Sequence, residues 1–144
     1  MSKKEVIDAL NHALELEHAA AVQYLSHAEI PNGLDSDPII ARLKEIAGDE
    51  QKHAQMFRDL IGMLGGVPST GIAKTYTART TREILKVNLQ GEMDAVDTYR
   101  KILELVKQQK DLKYEDMRIE HSVRHVIMDE MEHIEELRVL LGLI

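Results

Sequence analysis

Four stretches of this chain repeat apolar residues at spacings that alternate between three and four, the mark of helices that share one core. The first runs from about Lys3 to Glu29 through Val6, Leu10, Ala13, Glu17, Ala21, Tyr24 and Ala28. The second starts at about Pro38, with Asp37 as N-cap and proline at the first helical position. Its seam is Leu43, Ile46, Glu50, His53, Phe57, Leu60 and Leu64, and it stops at Gly65-Gly66. Thr80-x-x-Glu83 is a capping box that opens the third, whose seam is Leu85, Leu89, Glu92, Val96, Tyr99, Leu103 and Val106. The fourth starts near Leu112 or Lys113 and carries Ile119, Val123, Val126, Glu130, His133, Leu137 and Leu140. Proline, the strongest breaker, occurs only at 31, 38 and 68, outside every helix interior. Residues 1–144 are therefore expected to form a single all-α domain, its core built from Leu, Ile, Val, Ala and Met around one Phe and no Trp.

The connections fix a topology. Ile30 to Asp37 is a short turn, so the first two helices are antiparallel neighbours, and a break near Lys110-Asp111 does the same for the last two. Between the hairpins lies a 15-residue link, Gly65 to Arg79. Extended, it reaches roughly 50 Å, against about 40 Å for the second helix at 1.5 Å per residue. One long crossover between helices two and three predicts an up-down-down-up four-helix bundle.

Six seam positions are not apolar: Glu17, Glu50, His53, Glu92, Glu130 and His133. Two of the pairs sit in the repeated phrases Asp49-Glu50-x-x-His53 and Asp129-Glu130-x-x-His133, and a Glu and a His three apart project from one helix face. Heights agree as well. Glu17 and Glu50 lie 16 and 17 residues from a turn centred on Gly33, and Glu92 and Glu130 each lie 19 from Asp111. Four ionised carboxylates together in a core would unfold it or take up protons, since each unpaired one costs several kcal/mol. Two divalent cations cancel that charge, with Glu50 and Glu130 bridging, Glu17 and His53 completing one site and Glu92 and His133 the other. Oxygen-rich ligation with open positions suits iron or manganese better than closed tetrahedral zinc, although affinity alone favours zinc. A bundle with scattered polar core positions and no metal is the plain alternative.

Asp49 and Asp129 are placed to accept the remaining ring N–H of His133 and His53, across the bundle. Tyr24 and Tyr99 stand two turns from Glu17 and Glu92 on the same faces. They either bond a ligand carboxylate or supply an electron during oxygen reduction, or else fill the core with satisfied hydroxyls. His121, His125 and Asp129 share a stripe that reads as a second metal site, a proton relay or a solvated face. His12, His18 and His27 are expected at the surface or half-buried, Met56, Met63, Met93 and Met128 as core filler, and Ile40, Ile72 and Leu141 as apolar surface that favours a dimer.

Composition narrows the chemistry. There is no Cys, which removes thiolate sites and disulfides. A net charge of -7 without a basic stripe argues against nucleic acid. No run approaches the roughly 18 apolar residues of a membrane span. Met1 to Lys4 lead straight into the first helix with no signal-peptide pattern, so the expected compartment is the cytoplasm.

With these residues in hand the chain resembles the ferritin-like di-iron family, the bacterioferritins above all. The resemblance spans essentially the whole chain and rests on Glu17-His-Ala-Ala-Ala-Val-Gln-Tyr24 with Ser26-His27-Ala28, Asp49-Glu50-Gln-Lys-His53-Ala54 and Asp129-Glu130-Met-Glu-His133-Ile134. It implies a ferroxidase: Glu17, Glu50, His53, Glu92, Glu130 and His133 would hold two iron ions and oxidise Fe(II) with oxygen or peroxide, in a homo-oligomer of at least two chains. Gln51 stands where bacterioferritins place the Met that ligates haem, which argues against haem there. The chain stops at Ile144 without the short fifth helix of large cages, which argues against a storage shell. Ala95 stands where rubrerythrins place an additional Glu, and their Cys-rich domain is absent. An iron-storing multimer remains one alternative. An oxygenase or peroxidase acting on a small substrate is another: it needs an apolar channel to the metals, for which Ala20, Ala21 and Ala95 could leave space, whereas close-packed seams predict no room for more than a small molecule.

Overall fold

In the computed structural model, which describes residues 3–144, the chain forms four helices: α1 (Lys3–His27), α2 (Ser36–Met63), α3 (Thr81–Lys107) and α4 (Glu115–Leu140). Around the bundle α1 neighbours α2 and α3, and α4 neighbours α3 and α2. The 65–80 crossover bonds along α1 with both residue numbers rising together. Asn11 meets Val67 and Ser69, the Glu15 carbonyl accepts from Ala73 N–H, and Gln23 accepts from Tyr76 N–H. The link therefore runs parallel to α1 and returns to the end where α1 finishes. From there α3 descends and α4 climbs, giving the up-down-down-up order. No helix among the described residues is long and apolar enough to cross a membrane.

The helix ends follow local chemistry, with one correction. α2 begins two residues earlier than Pro38, with Asp35 rather than Asp37 at the N-cap position, although its side chain makes no capping hydrogen bond. Gly33, at φ +96°, turns the chain, and its carbonyl accepts from the Ser36 hydroxyl at 2.8 Å. Pro38 thus falls at the third helical position, where its missing N–H is still one that the helix leaves unpartnered. At the other end Gly65 N–H bonds Gly62 O and Gly66 N–H bonds Ile61 O, at 3.0 and 2.9 Å. This closure needs the left-handed backbone that Gly65 adopts at φ +81°. Thr80 caps α3 by accepting from Glu83 N–H at 3.1 Å, while the Glu83 carboxylate reaches Arg79 N–H rather than that of Thr80. α4 begins at Glu115, later than Leu112 or Lys113.

The core has two apolar ends. One gathers Leu10, Leu14, Phe57, Leu60, Ile102, Val123 and Val126 around the Phe57–Tyr99 ring pair, whose centroids are 5.2 Å apart. The other gathers Tyr24, Leu43, Ile46 and Ile84. Fully burying each large side chain contributes about 1.5–3 kcal/mol, so both ends hold the helices firmly and fix the height of the residues between them.

In α3 the buried face is shifted from the expected seam. Ile84, Asn88, Ala95 and Ile102 are buried, whereas Leu89, Val96 and Leu103 are only half-buried. Met63, Met93 and Met128 are exposed rather than core filler. Leu141 is buried beside Leu85 and Leu137, so of the three expected surface residues only Ile72 is exposed, with Val22 and Leu25 of α1 exposed besides.

Candidate metal centre

Between the apolar ends lies a layer of Glu17, Glu50, His53, Glu92, Glu130 and His133, each no more than 3% exposed. The layer resolves into two overlapping sets, Glu17–Glu50–His53–Glu130 and Glu50–Glu92–Glu130–His133, within each of which one ligating atom per residue lies within 4.8 Å of the others. Glu50 and Glu130 belong to both.

The histidines are oriented from outside. His53 Nε2 lies 2.8 Å from Asp129 Oδ2, and His133 Nε2 lies 3.0 Å from Asp49 Oδ2. A carboxylate only accepts, so these contacts place the proton on Nε2. Each Nδ1 is then turned into the layer. That of His53 is 3.3, 3.4 and 3.6 Å from oxygens of Glu50, Glu130 and Glu17. That of His133 is 2.7, 3.1 and 3.6 Å from oxygens of Glu92, Glu130 and Glu50. The ring centroids are 6.4 Å apart.

Lone pairs facing lone pairs in a dry core need a proton or a cation between them. Both oxygens of Glu50 and of Glu130, Glu17 Oε2 and His53 Nδ1 have no hydrogen-bond partner among the described residues. Burial first, then the neighbouring carboxylates, push Glu50 and Glu92 well above the usual carboxylate range and Glu17 up to about 7. Burial pushes Glu130 up too, but the imidazoles of His133 and His53, whose Nδ1 atoms lie 3.1 and 3.4 Å from its Oε1, outweigh it and hold it down at about 2. Burial lowers both imidazoles, and the surrounding carboxylates reverse the sign: His133 is held up at about 9 and His53 is also raised. Protons therefore substitute for missing positive charge, and this donor set fits a pair of divalent cations.

The tyrosines differ from one another. Tyr99 donates to Glu17 Oε1 at 2.6 Å, fixing that carboxylate. The Tyr24 hydroxyl is buried and has no partner among the described residues. Burial, with the carboxylates behind it, raises both phenols well above their ordinary value. His121 and His125 stay outside the layer, although His125 Nε2 comes within 3.8 Å of Asp129.

Sequence reasoning missed a buried polar ring beside the layer. Asn88 donates to His27 Nδ1 and accepts from Gln23 Nε2, both at 2.9 Å, and the opposite nitrogen of His27 bonds the Tyr76 carbonyl at 2.9 Å. His27 is buried, not superficial, and that burial lowers its pKa. The available signal was Asn88 itself, four residues before Glu92 and hence on the same face.

Packing around the layer leaves space of the kind that Ala20 and Ala95 allow, both of which line it. A cleft of about 460 Å³ between α1 and α3 reaches Glu17, Glu50, Glu92 and Glu130. Gln51 is exposed and lines a second cavity, of about 600 Å³, with His18, Ala21, Arg58 and Ile72.

Over residues 7–144 the sequence matches the family described as ferritin-like domain. It is 32% identical to a bacterioferritin of Desulfovibrio desulfuricans over 76% of this chain and 62% of that protein, less than two thirds of the relative's length. A bacterioferritin of Streptomyces coelicolor is 26% identical over 97% of this chain and 81% of its own. Among solved structures, a ferritin-like di-iron-carboxylate protein of Bacillus anthracis superposes with a TM-score of 0.89 at 29% identity, covering 98% of this chain and 99% of that one.

Proposed function

This chain belongs to the ferritin-like domain family, and on that premise we propose that it is a ferroxidase that takes up Fe(II) at the buried Glu–His layer and passes its electrons to oxygen or peroxide. The observation that carries the reading is the pair of overlapping ligand sets that share Glu50 and Glu130. In this reading Glu17 and His53 complete one iron site and Glu92 and His133 the other. Bound iron supplies the electrons and the open positions that an oxidant needs. The chain's own residues neutralise and orient: the four carboxylates balance the cations' charge, and Asp129 and Asp49 fix His53 and His133 by their Nε2–H groups. Tyr99 holds Glu17 by one oxygen and leaves Oε2 toward the layer.

Iron is favoured over manganese or zinc by the similarity to a di-iron-carboxylate protein. Gln51 offers no thioether, so haem is not part of the reading. An assembly of at least two chains and a cytoplasmic location go with it, the first supported by exposed Val22, Leu25 and Ile72.

Aerobic Fe(II) titration of the metal-free protein tests the proposal, counting retained iron and the loss of chelatable Fe(II). Oxidation that saturates near two irons per chain, one per ligand set, and that is lost in Glu50→Ala is expected. Iron that binds without being oxidised overturns the activity. Uptake far beyond two marks a mineral-storing multimer instead.

A further inference from the structure

The α1–α3 cleft is larger than iron and its oxidant require. A cavity of roughly 150 Å³ already holds benzene, and this one measures about 460 Å³, within the range of small-molecule sites. Leu16, Ala19 and Ala20 on α1 and Val87, Gly91 and Ala95 on α3 form its small and aliphatic wall, while the exposed side chains of His12, Lys74, Gln90 and Asp94 add polar lining. Gly91 is an exposed part of that lining. Glycine is the poorest helix former after proline, and a Cβ at this position would meet nothing within 4 Å. The Tyr24 hydroxyl is the independent sign of a ligand. The side chain is 1% exposed and forms part of the wall, and its hydroxyl has no hydrogen-bond partner among the described residues. The wall's amides Gln23 and Asn88 are already bonded to each other.

We propose that the cleft binds a small uncharged aromatic molecule bearing one oxygen, of the phenol or naphthol class. The ring would lie among the alanines and Val87, and the oxygen would accept from Tyr24. An anion would face the carboxylates of Glu17, Glu50, Glu92 and Glu130, and a cation would enter among them in place of metal. A rigid ring also loses little conformational freedom on binding. This goes beyond the ferroxidase reading and does not depend on it, because the walls belong to the metal-free chain.

The test is a fluorescence titration of 2-naphthol into the metal-free and the zinc-loaded full chain. One naphthol per chain is expected in both. Gly91→Leu, whose side chain grows into open space, should weaken binding at least tenfold, and Tyr24→Phe several-fold. 2-Naphthoate, the same ring carrying a charge, should not bind. Absence of saturable binding, equal binding of the naphthoate, or unchanged affinity in Gly91→Leu overturns the proposal. Helical circular dichroism checks that Gly91→Leu is folded, and Ala20→Leu on the facing helix repeats the blockade if it is not. Zinc counted in the same samples reports on the metal centre separately, so failure of one reading leaves the other measurable.

Discussion

A carboxylate with both oxygens buried and no donor on either, as at Glu50, destabilises the fold that holds it unless a cation is beside it. Glu50→Leu keeps similar bulk without the charge. In metal-free protein it is expected to raise the unfolding free energy by about 1–3 kcal/mol, while abolishing the stabilisation that zinc gives the parent. Urea denaturation with and without zinc measures both, and a metal-free variant weaker than the parent would contradict the reading. Asp49 and Asp129 act differently, since they bond the outward Nε2 atoms of the two imidazoles. Asp129→Ala removes the acceptor of His53 Nε2–H, so zinc affinity should fall about 10–100-fold with the number of sites unchanged. Competition against a chelator reads this, and a lost site instead of a weakened one would make Asp129 itself a ligand. The convergence of the six layer residues, and the pairing of each Asp with the opposite His, were legible because helical periodicity fixes which residues share a face and equal distance from a turn fixes height. Which imidazole nitrogen faces inward was not legible, because it depends on ring rotation that spacing does not constrain.

Helix-scale behaviour turns on how the crossover is tied to α1. That segment has no ladder of its own, and it borrows Asn11, Glu15, His18, Gln23 and His27 as partners. Asn88 braces this strap from α3 through Gln23 and His27. Asn88→Ala leaves Gln23 Nε2 and His27 Nδ1 without their partner while their bonds to Tyr76 remain, so a loss of about 1–3 kcal/mol is expected for the groups left unpaired. Amide exchange at Tyr76, whose N–H is held by Gln23 at 2.7 Å, should accelerate more than exchange in α2 or α4. Equal acceleration throughout would mean that Asn88 supports the whole core and not the strap. None of this could be read from periodicity, since the crossover contributes backbone groups and its register on α1 is decided by them. The same limit explains the early start of α2: Asp35, Ser36 and Asp37 are all cap-type residues, and it is the Gly33 turn, whose carbonyl accepts from the Ser36 N–H and hydroxyl, that starts the helix, with no side-chain bond from Asp35. In α3 the choice of Leu89, Val96 and Leu103 as core followed hydrophobicity, whereas the polar Asn88 and small Ala95 occupy the face that packing buries.

For the molecule as a whole the polar layer couples folding to protons and to metal. In the metal-free chain Glu17 keeps its proton up to about pH 7, whereas an unfolded carboxyl loses it near 4.5. The folded state therefore binds more protons across that window, and stability falls as pH rises through it. His133, raised from 6.5 to about 9, gives stability that is complete below 6.5 and is lost as pH climbs to 9. Glu130, held at about 2, works in the opposite sense, with stability present above 4.5 and lost toward 2. Metal-free protein should thus be most stable near pH 4.5 and weaken steadily above that, first through Glu17 and then, beyond pH 6.5, through His133 as well. Cations displace the same protons, so stabilisation by zinc should grow over the range where the metal-free chain declines. Thermal melts of both forms, stepped from pH 4.5 to 9, give the two curves. A zinc increment that stays constant across the range would separate metal binding from these carboxylates and imidazoles, and would move the centre elsewhere in the bundle.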